Sequence, residues 1–119
     1  MIAIIFEVTP KTDRKSDYFE MAAKLRPLLD EIEGFISVER FESLTQPGKF
    51  VSLSFFRDEA AVLAWRNLFE HRVAQLKGRN EIFSDYRLRV ASVIRDYGLN
   101  DRKEAPSDSQ RAVSRPARA

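Results

Sequence analysis

The chain of 119 residues contains no cysteine, one histidine and one tryptophan. The absence of cysteine excludes disulfides, thiolate nucleophiles and thiolate metal ligands, and one histidine argues against a multi-histidine metal site. No apolar run approaches the roughly 20 residues that cross a membrane. The apolar residues 2–8 also lack the preceding basic residues and the small-residue cleavage site of a signal peptide. We therefore expect a soluble cytoplasmic protein with no metal site and no membrane partner.

The slight excess of positive charge is confined to the C-terminal residues. Residues 101–119 hold five of the 20 Lys and Arg and three of the 18 Asp and Glu, so residues 1–100 hold 15 of each sign. The sequence pI of about 9.1 therefore reflects the end of the chain. Because the rest is neutral and shows no basic stripe, we expect no nucleic-acid partner.

The composition divides the chain near residue 98. A chain of this length with 44% apolar residues can form one domain with a single core, which we place at residues 1–98. Residues 99–119 are rich in Asp, Ser, Pro, Arg and Ala, and from residue 101 onward Val113 is the one large aliphatic side chain. Such a segment buries too little surface to fold, so we expect a flexible polar and basic tail, or alternatively one that docks on a partner.

Apolar periodicity predicts the element order βαββαβ in residues 1–98. The predicted strands are 2–8, 35–41, 49–56 and 86–95, and the predicted helices run from about 13 or 16 to 33 and from 58 to 77. Pro27 is expected to kink or break the first helix, and Gly34 and Gly78 to end the two helices. This order fits a ferredoxin-like α+β fold, with two helices on one face of a four-stranded antiparallel sheet.

The alternation of side chains along the strands predicts two different sheet faces. The face toward the helices is predicted to carry Ile36, Val38, Val51, Leu53, Phe55, Leu88 and Val90. The opposite face is predicted to carry Ala3, Ile5, Phe35, Phe41, Phe50 and Phe56, together with Ser37, Glu39, Ser52, Ser54, Arg87 and Arg89. Several phenylalanines exceed what a monomer usually exposes on a sheet face, so we expect a twofold homodimer in which two sheets face each other. The alternative is an open face that these charges solvate.

Several motifs carry a resemblance to a known family. The sequences GFISVERF at 34–41, LSFFRDEA at 53–60 and DYRLRVA at 85–91, together with Trp65, resemble the antibiotic biosynthesis monooxygenase (ABM) family. The resemblance covers about residues 1–98. It implies a dimeric α+β barrel with a pocket in each subunit between helices and sheet. It also implies one of several chemistries, among them haem degradation and the cofactor-independent oxidation of polycyclic phenols or quinols.

The candidate site residues follow from this resemblance and from the aromatic content of the chain. Trp65 occupies the helix position of the family's pocket tryptophan, and His71 is the candidate proton carrier. Arg87 is a lower-ranked candidate for holding an anionic oxygen. The remaining candidates for substrate binding are Phe6, Phe69, Phe83 and Tyr86. On an ideal helix Trp65 and His71 lie roughly 120° apart, so His71 reaches the pocket only if the helix bends, breaks or ends near Phe69.

Two functional classes remain open at this stage. The first is an oxygenase or isomerase that needs no metal or flavin, above all a monooxygenase in which the anion of a small aromatic phenol or quinol reacts directly with O2. The second is a non-catalytic dimeric barrel that binds a small apolar ligand or a protein. Haem degradation is the least favoured chemistry, because Phe6 and Glu7 replace that branch's first-strand asparagine and Gln75 replaces its histidine. The phenol oxidisers carry an amide one turn before the tryptophan, where this chain has Ala61 and Val62.

Overall fold

A computed structural model describes residues 1–109 of the chain. Four strands alternate with helices, in the order β1 (Ile2–Pro10), α1 (Lys15–Asp30), β2 (Phe35–Glu42), β3 (Phe50–Phe56), α2 (Glu59–Arg66), α3 (Phe69–Lys77), a π-helical turn (Gly78–Ile82) and β4 (Phe83–Ser92). The predicted order βαββαβ is confirmed, with the second predicted helix divided into two helices. The predicted end of that helix at Gly78 is confirmed for the α-helix, which ends at Lys77 with Gly78 as its C-cap, and the π-helical turn then leads from Gly78 to Ile82.

The four strands form one antiparallel sheet in the order β2-β3-β1-β4. The central strand β1 pairs along its length with both β3 and β4, so that Phe6 lies opposite Ser52 on one side and Leu88 on the other. The helices lie on one face of this sheet, which is the ferredoxin-like α+β arrangement. The predicted fold class is confirmed for the chain itself.

Helix α1 runs past Pro27 to Asp30 without a break. The proline lies in the last turn of the helix and is exposed to solvent. The backbone carbonyl that its missing N–H would have bonded is that of Ala23, which is also exposed and accessible to water. The prediction of a break at Pro27 is therefore wrong. The helix ends at Asp30 with its C-cap at Glu31, three residues before the predicted end at Gly34.

Helix α2 begins at the predicted N-cap, Asp58, and ends earlier than residue 77, where the apolar periodicity predicts the end of the helix. The Asp58 carboxylate accepts a hydrogen bond of 3.0 Å from the backbone N–H of Ala61, and this bond lowers the pKa of Asp58, with a smaller contribution from Arg57. The helix ends at Arg66, and Leu68 adopts an extended backbone before α3 begins. The prediction of one helix over 58–77 is corrected to two helices.

The core consists of two clusters on the helix side of the sheet. One contains Val8, Tyr18, Phe50 and Ile82, and the other contains Leu29, Phe56, Ala61 and Val62. Both ends of β3 are buried in them, with Phe50 exposed to 6% and Phe56 to 1%. Between these two large rings β3 presents Ser52 and Ser54 to the same face. The small side chains leave the two clusters separated by a space.

The face assignment of β3 and of the start of β2 differs from the prediction. A bulge between Phe35 and Ser37 inserts Ile36 as an extra residue, which leaves Ile36 51% exposed and turns Phe35 toward the helices. In β3 both faces are apolar, so alternation alone did not distinguish them. The face away from the helices carries Ala3, Ile5, Phe41, Val51, Leu53 and Phe55, with Glu7, Glu39, Arg87 and Arg89 among them. We call these residues the open sheet face.

The residues after β4 make local contacts with one another. The backbone N–H of Asp96 donates to Glu104, and Arg102 donates to the carbonyls of Gly98 and Ser109. Residues 110–119, which contain the second half of the predicted tail, lie outside the described part of the chain. The division at residue 98 stays a prediction.

Within residues 1–109 no helix has both the length and the hydropathy of a membrane-spanning segment.

We expect Gly34→Ala to destabilise the protein more than Gly48→Ala. Both glycines have a positive φ, of 91° and 89°, so alanine at either position costs about 1–2 kcal/mol of backbone strain. A Cβ at Gly34 would also lie 2.9 Å from the Cβ of Ala61, whereas a Cβ at Gly48 meets nothing within 4 Å. Overpacking of this kind adds roughly 1–3 kcal/mol. Urea unfolding of both variants measures the difference, and equal losses would contradict a tight approach of Gly34 to α2.

Candidate functional site

A cavity of about 220 Å³ lies between the helices and the sheet, in the space beside Ser52 and Ser54. Apolar side chains of α1, α2 and the strands form most of its wall, and they include Leu25, Leu29, Val38, Phe56, Val62, Leu88 and Val90. The cavity volume is below the usual range of pockets for drug-sized ligands, about 300–1,000 Å³. The cavity therefore suits a small and largely apolar molecule.

The only tryptophan and the only histidine of the chain meet at the wall of this cavity. The rings of Trp65 and His71 are stacked, with their centroids 4.3 Å apart and their planes inclined by 20°. Both residues line the cavity. The break between α2 and α3 makes this contact possible, because it replaces the roughly 120° separation of an ideal helix. We predicted that His71 reaches the pocket only if the helix bends, breaks or ends near Phe69, and the helix does break there.

The same break supplies a hydrogen-bond partner for the imidazole ring. Nδ1 of His71 lies 3.0 Å from the backbone carbonyl oxygen of Trp65, which also accepts the N–H of Leu68 at 3.2 Å. A carbonyl oxygen only accepts, so Nδ1 carries the proton that it donates. In the neutral ring the lone pair is then on Nε2. Burial lowers the pKa of His71 below its ordinary value, against a smaller upward effect of the bond to Trp65.

Phenylalanine side chains close the end of the cavity near β4. Phe6 and Phe83 both line it, with ring centroids 5.7 Å apart. Tyr86 packs behind them, 5.7 Å from Phe6 and 6.0 Å from Phe83, and lies outside the cavity wall. The side chain of Phe69 is outside the described part of the structure. Of the predicted substrate-binding residues, Trp65, Phe6 and Phe83 line the cavity directly.

Arg87 does not lie in this cavity. It lies on the open sheet face, in a shallow polar groove with Glu7, Lys49 and Arg89. In that groove Glu7 accepts hydrogen bonds from Arg89 and from Lys49, the latter at 3.3 Å, and these bonds lower the pKa of Glu7. The prediction that Arg87 holds an anion beside Trp65 is corrected, because alternation along β4 directs Leu88 and Val90 toward the helices.

The sequence analysis missed several polar residues of the cavity wall. These are Tyr18, Arg26, Arg40, Ser52, Ser54, Arg66 and Gln75. Alternation along β2 could have predicted that Arg40 faces the helices, because Arg40 is two residues beyond the inward-facing Val38. The two serines were placed on the wrong face with the rest of β3. The hydroxyl of Tyr18 is buried and has no hydrogen-bond partner among residues 1–109.

The described part of the chain offers no constellation for a metal ion. No group of three His, Cys, Asp or Glu side chains occurs within residues 1–109 at a spacing that would hold one. The chemical groups that the cavity does offer are a stacked imidazole, an indole, arginine guanidinium groups and three hydroxyls. This set can bind an apolar molecule, exchange a proton with it and stabilise negative charge on it.

Comparison with known proteins identifies the family. The family model described as antibiotic biosynthesis monooxygenase matches residues 1–77, which include Trp65 and His71. The chain belongs to the antibiotic biosynthesis monooxygenase family. Jasmonate monooxygenase ABM of Pyricularia oryzae is 43% identical over 103 residues, which are 87% of this chain and 48% of that protein. The chain thus spans about half the length of this ABM relative.

A second curated relative is similar to the chain in sequence, and two solved structures are similar to it in fold. The uncharacterized protein YqjZ of Bacillus subtilis is 31% identical over 93 residues, covering 78% of this chain and 79% of YqjZ. Rv0793 from Mycobacterium tuberculosis superposes with a TM-score of 0.73 at 16% identity, over 82% of this chain and 98% of that one. A putative antibiotic biosynthesis monooxygenase from Deinococcus radiodurans gives a TM-score of 0.71 at 12% identity, over 82% and 97% of the two chains. These structures support the fold of the ABM family.

Proposed function

We propose that the protein is a monooxygenase that oxidises a small, largely apolar phenol or quinol with O2, without a metal or an organic cofactor. The stack of His71 on Trp65 at the cavity wall is the observation that carries this proposal. It places a proton acceptor against an aromatic platform, in a space whose other walls are mostly apolar. Family membership supports an oxygenase, and the relative named jasmonate monooxygenase makes jasmonate a further substrate to test.

The proposed reaction begins with a proton transfer. Neutral His71 takes the proton of the substrate on Nε2, while its Nδ1–H remains bonded to the Trp65 carbonyl. Burial disfavours the imidazolium, so the proton acceptor is in its neutral form near pH 7. The imidazolium formed on His71 offsets the cost of the substrate anion beside it, and the apolar walls limit the access of water to that anion.

The oxidation then needs no electron donor other than the substrate. The anion passes one electron to O2, and the resulting substrate radical and superoxide combine to form a carbon–oxygen bond. The peroxide takes up the proton held by His71. Its O–O bond then breaks together with the remaining C–H bond at the same carbon, so that water leaves with both hydrogens as the carbonyl forms. One oxygen atom thus enters the substrate and the other becomes water, with all four electrons drawn from the substrate and its two hydrogens.

Oxygen uptake tests the proposal directly. The purified full chain is incubated with an anthrone-like phenol, a simple quinol and jasmonate, with protein-free samples as the control for autoxidation. We expect oxygen uptake above the control with at least one of them, and one oxygen atom from isotope-labelled O2 in its product. No turnover of any of them, with no spectral change on ligand addition, would favour the alternative of a non-catalytic barrel that binds a small apolar ligand.

We propose further that the protein functions as a homodimer through the open sheet face. Six apolar residues are grouped there, with Phe41 47% exposed. Ion pairs of Glu7 with Arg89 and Lys49 lie beside them and have side chains that are only partly exposed. The apolar residues differ from those predicted, since Val51, Leu53 and Phe55 take the place of Phe50 and Phe56. The reason for expecting a partner is unchanged, because this face is still apolar.

We expect light scattering at micromolar concentration to give twice the mass of the chain. Leu53→Arg, which places a charge in the middle of the open sheet face, is expected to shift the mass toward that of the monomer. Leu44→Arg is the matched control, because Leu44 is 99% exposed in the loop between β2 and β3. A monomeric mass for the unmodified chain would refute the dimer and leave the cavity chemistry to be tested separately.

A further inference from the structure

The charges that line the cavity all have one sign. Among residues 1–109, its wall contains three arginines, Arg26, Arg40 and Arg66, and no Asp, Glu or Lys. Residues 1–100 as a whole carry equal numbers of acidic and basic residues, so the surroundings of the cavity differ from the average of the domain. A cavity with this lining repels cations and attracts anions.

The three arginines differ in their own partners. Arg26 forms an ion pair with Asp30 and lies with its guanidinium 5.1 Å from the centre of the Phe35 ring. Its guanidinium group is therefore already paired with a carboxylate. Arg40 and Arg66 have neither an ion pair nor a side-chain hydrogen bond within the described residues 1–109. Two guanidinium groups at the cavity wall thus retain their full charge and their donors.

The position of Arg40 gives the cavity a polar side on the sheet. Arg40 lies on β2 directly opposite Ser52 of β3, and Val38 lies opposite Ser54 one step further along. All four line the cavity. Both Arg40 and Arg66 are exposed to solvent, whereas Ser54 is 9% exposed and Phe56 is 1% exposed. The guanidinium groups therefore lie at the open side of the cavity, and the apolar residues lie deeper.

We propose that the natural ligand is an apolar molecule that carries a permanent anionic group, such as a carboxylate, and that Arg40 with Arg66 selects it. The apolar body lies against Trp65 and Phe6, and the anionic group is held at the open side by charge-assisted hydrogen bonds from guanidinium. This inference rests on the proposed function only in assigning the ligand to the same cavity. It adds a recognition element that is separate from the proton transfer by His71.

A matched pair of ligands tests the proposal. The probes are 4-phenylbutanoate and 4-phenylbutanamide, which have nearly the same shape and differ in charge, and binding to the full chain is measured by calorimetry and by Trp65 fluorescence. We expect the acid to bind about 10-fold more tightly than the amide. Arg40→Gln is expected to remove most of this preference and to leave the affinity for the amide unchanged. Added salt is expected to weaken binding of the acid alone.

Arg95→Gln is the matched control, since Arg95 is exposed and lines neither the cavity nor the groove of the open sheet face. It removes the same charge and should keep the full preference for the acid. Equal affinities of the unmodified chain for acid and amide would overturn the proposal, while binding of both would still support a ligand cavity. A preference for the acid that survives in Arg40→Gln and in Arg66→Gln would also overturn it. Failure of both probes to bind would count against the cavity itself and thus against the proposed function.

Discussion

His71→Phe is expected to lower kcat by about 10²–10⁴-fold, the usual contribution of a general base. Phenylalanine keeps a ring that can stack on Trp65, so the wall of the cavity and the affinity for the ligand should change little. What the variant loses is Nε2, the proposed proton acceptor, and the hydrogen bond from Nδ1 to the carbonyl of Trp65. Steady-state kinetics on the substrate found by oxygen uptake, with ligand affinity from calorimetry, separates the two effects. A kcat within a factor of two of the unmodified chain would remove His71 from the mechanism.

The pH dependence of the reaction provides an independent readout of the same residue. Burial lowers the pKa of His71, so the neutral ring is the dominant form down to a pH below its ordinary value of about 6.5. Activity is expected to be constant above that value and to fall as the pH drops through the lowered pKa, because protonated His71 accepts no proton. The residual activity of His71→Phe should lack this acid limb. An acid limb that persists in the variant would assign it to another group.

Trp65→Ala is expected to weaken ligand binding by roughly 10- to 100-fold, or about 1.4–2.8 kcal/mol, without unfolding the chain. Trp65 is partly exposed and packs against the edge of the second core cluster, so part of its ring is free for a ligand. The hydrogen bond to His71 uses the backbone carbonyl of Trp65 and is available in the variant. Because the substitution removes the only tryptophan, binding is measured by calorimetry.

Phe56→Ala is the matched comparison for stability. Phe56 is 1% exposed in the same cluster and its truncation should cost about 3–5 kcal/mol, as for a large core side chain. We expect Trp65→Ala to cost clearly less than Phe56→Ala in urea unfolding, and Trp65→Phe to recover part of the ligand affinity. A loss of stability for Trp65→Ala as large as that for Phe56→Ala would make Trp65 a core residue rather than part of a binding surface.

Much of the fold could be predicted because its signals are local. The apolar β-branched run of β1, the Asp58 cap and Gly34 after α1 each depend on a few neighbouring residues, and they predict the element order correctly. The family resemblance extended this to the sheet with helices on one face. The face of β3 could not be predicted in this way. Val51, Leu53 and Phe55 are as apolar as Phe50 and Phe56, so the choice depends on which side chains fill the space under the helices.

The residues of the candidate site likewise fall into those that local sequence patterns predict and those that depend on tertiary packing. Trp65 lies within the apolar stripe of a helix, so periodicity alone placed it inward. The break at Leu68 has no strong sequence signal, because it lacks both proline and glycine, and the periodicity therefore predicted a continuous helix. Arg87 was selected by charge, although alternation had already placed it on the open sheet face. Arg40 lay two residues beyond Val38 in the pattern and was passed over.

By itself the sequence determined the family, the order of helices and strands and the inward position of Trp65, because periodicity, caps and motifs are properties of neighbouring residues. Only the tertiary structure decided which residues share the cavity. The broken helix stacks His71 on Trp65, and the pairing of β2 with β3 brings Arg40 opposite Ser52 at the wall of the cavity. These contacts join segments far apart in the chain or depend on a break in the backbone, and both are set by packing across the whole domain.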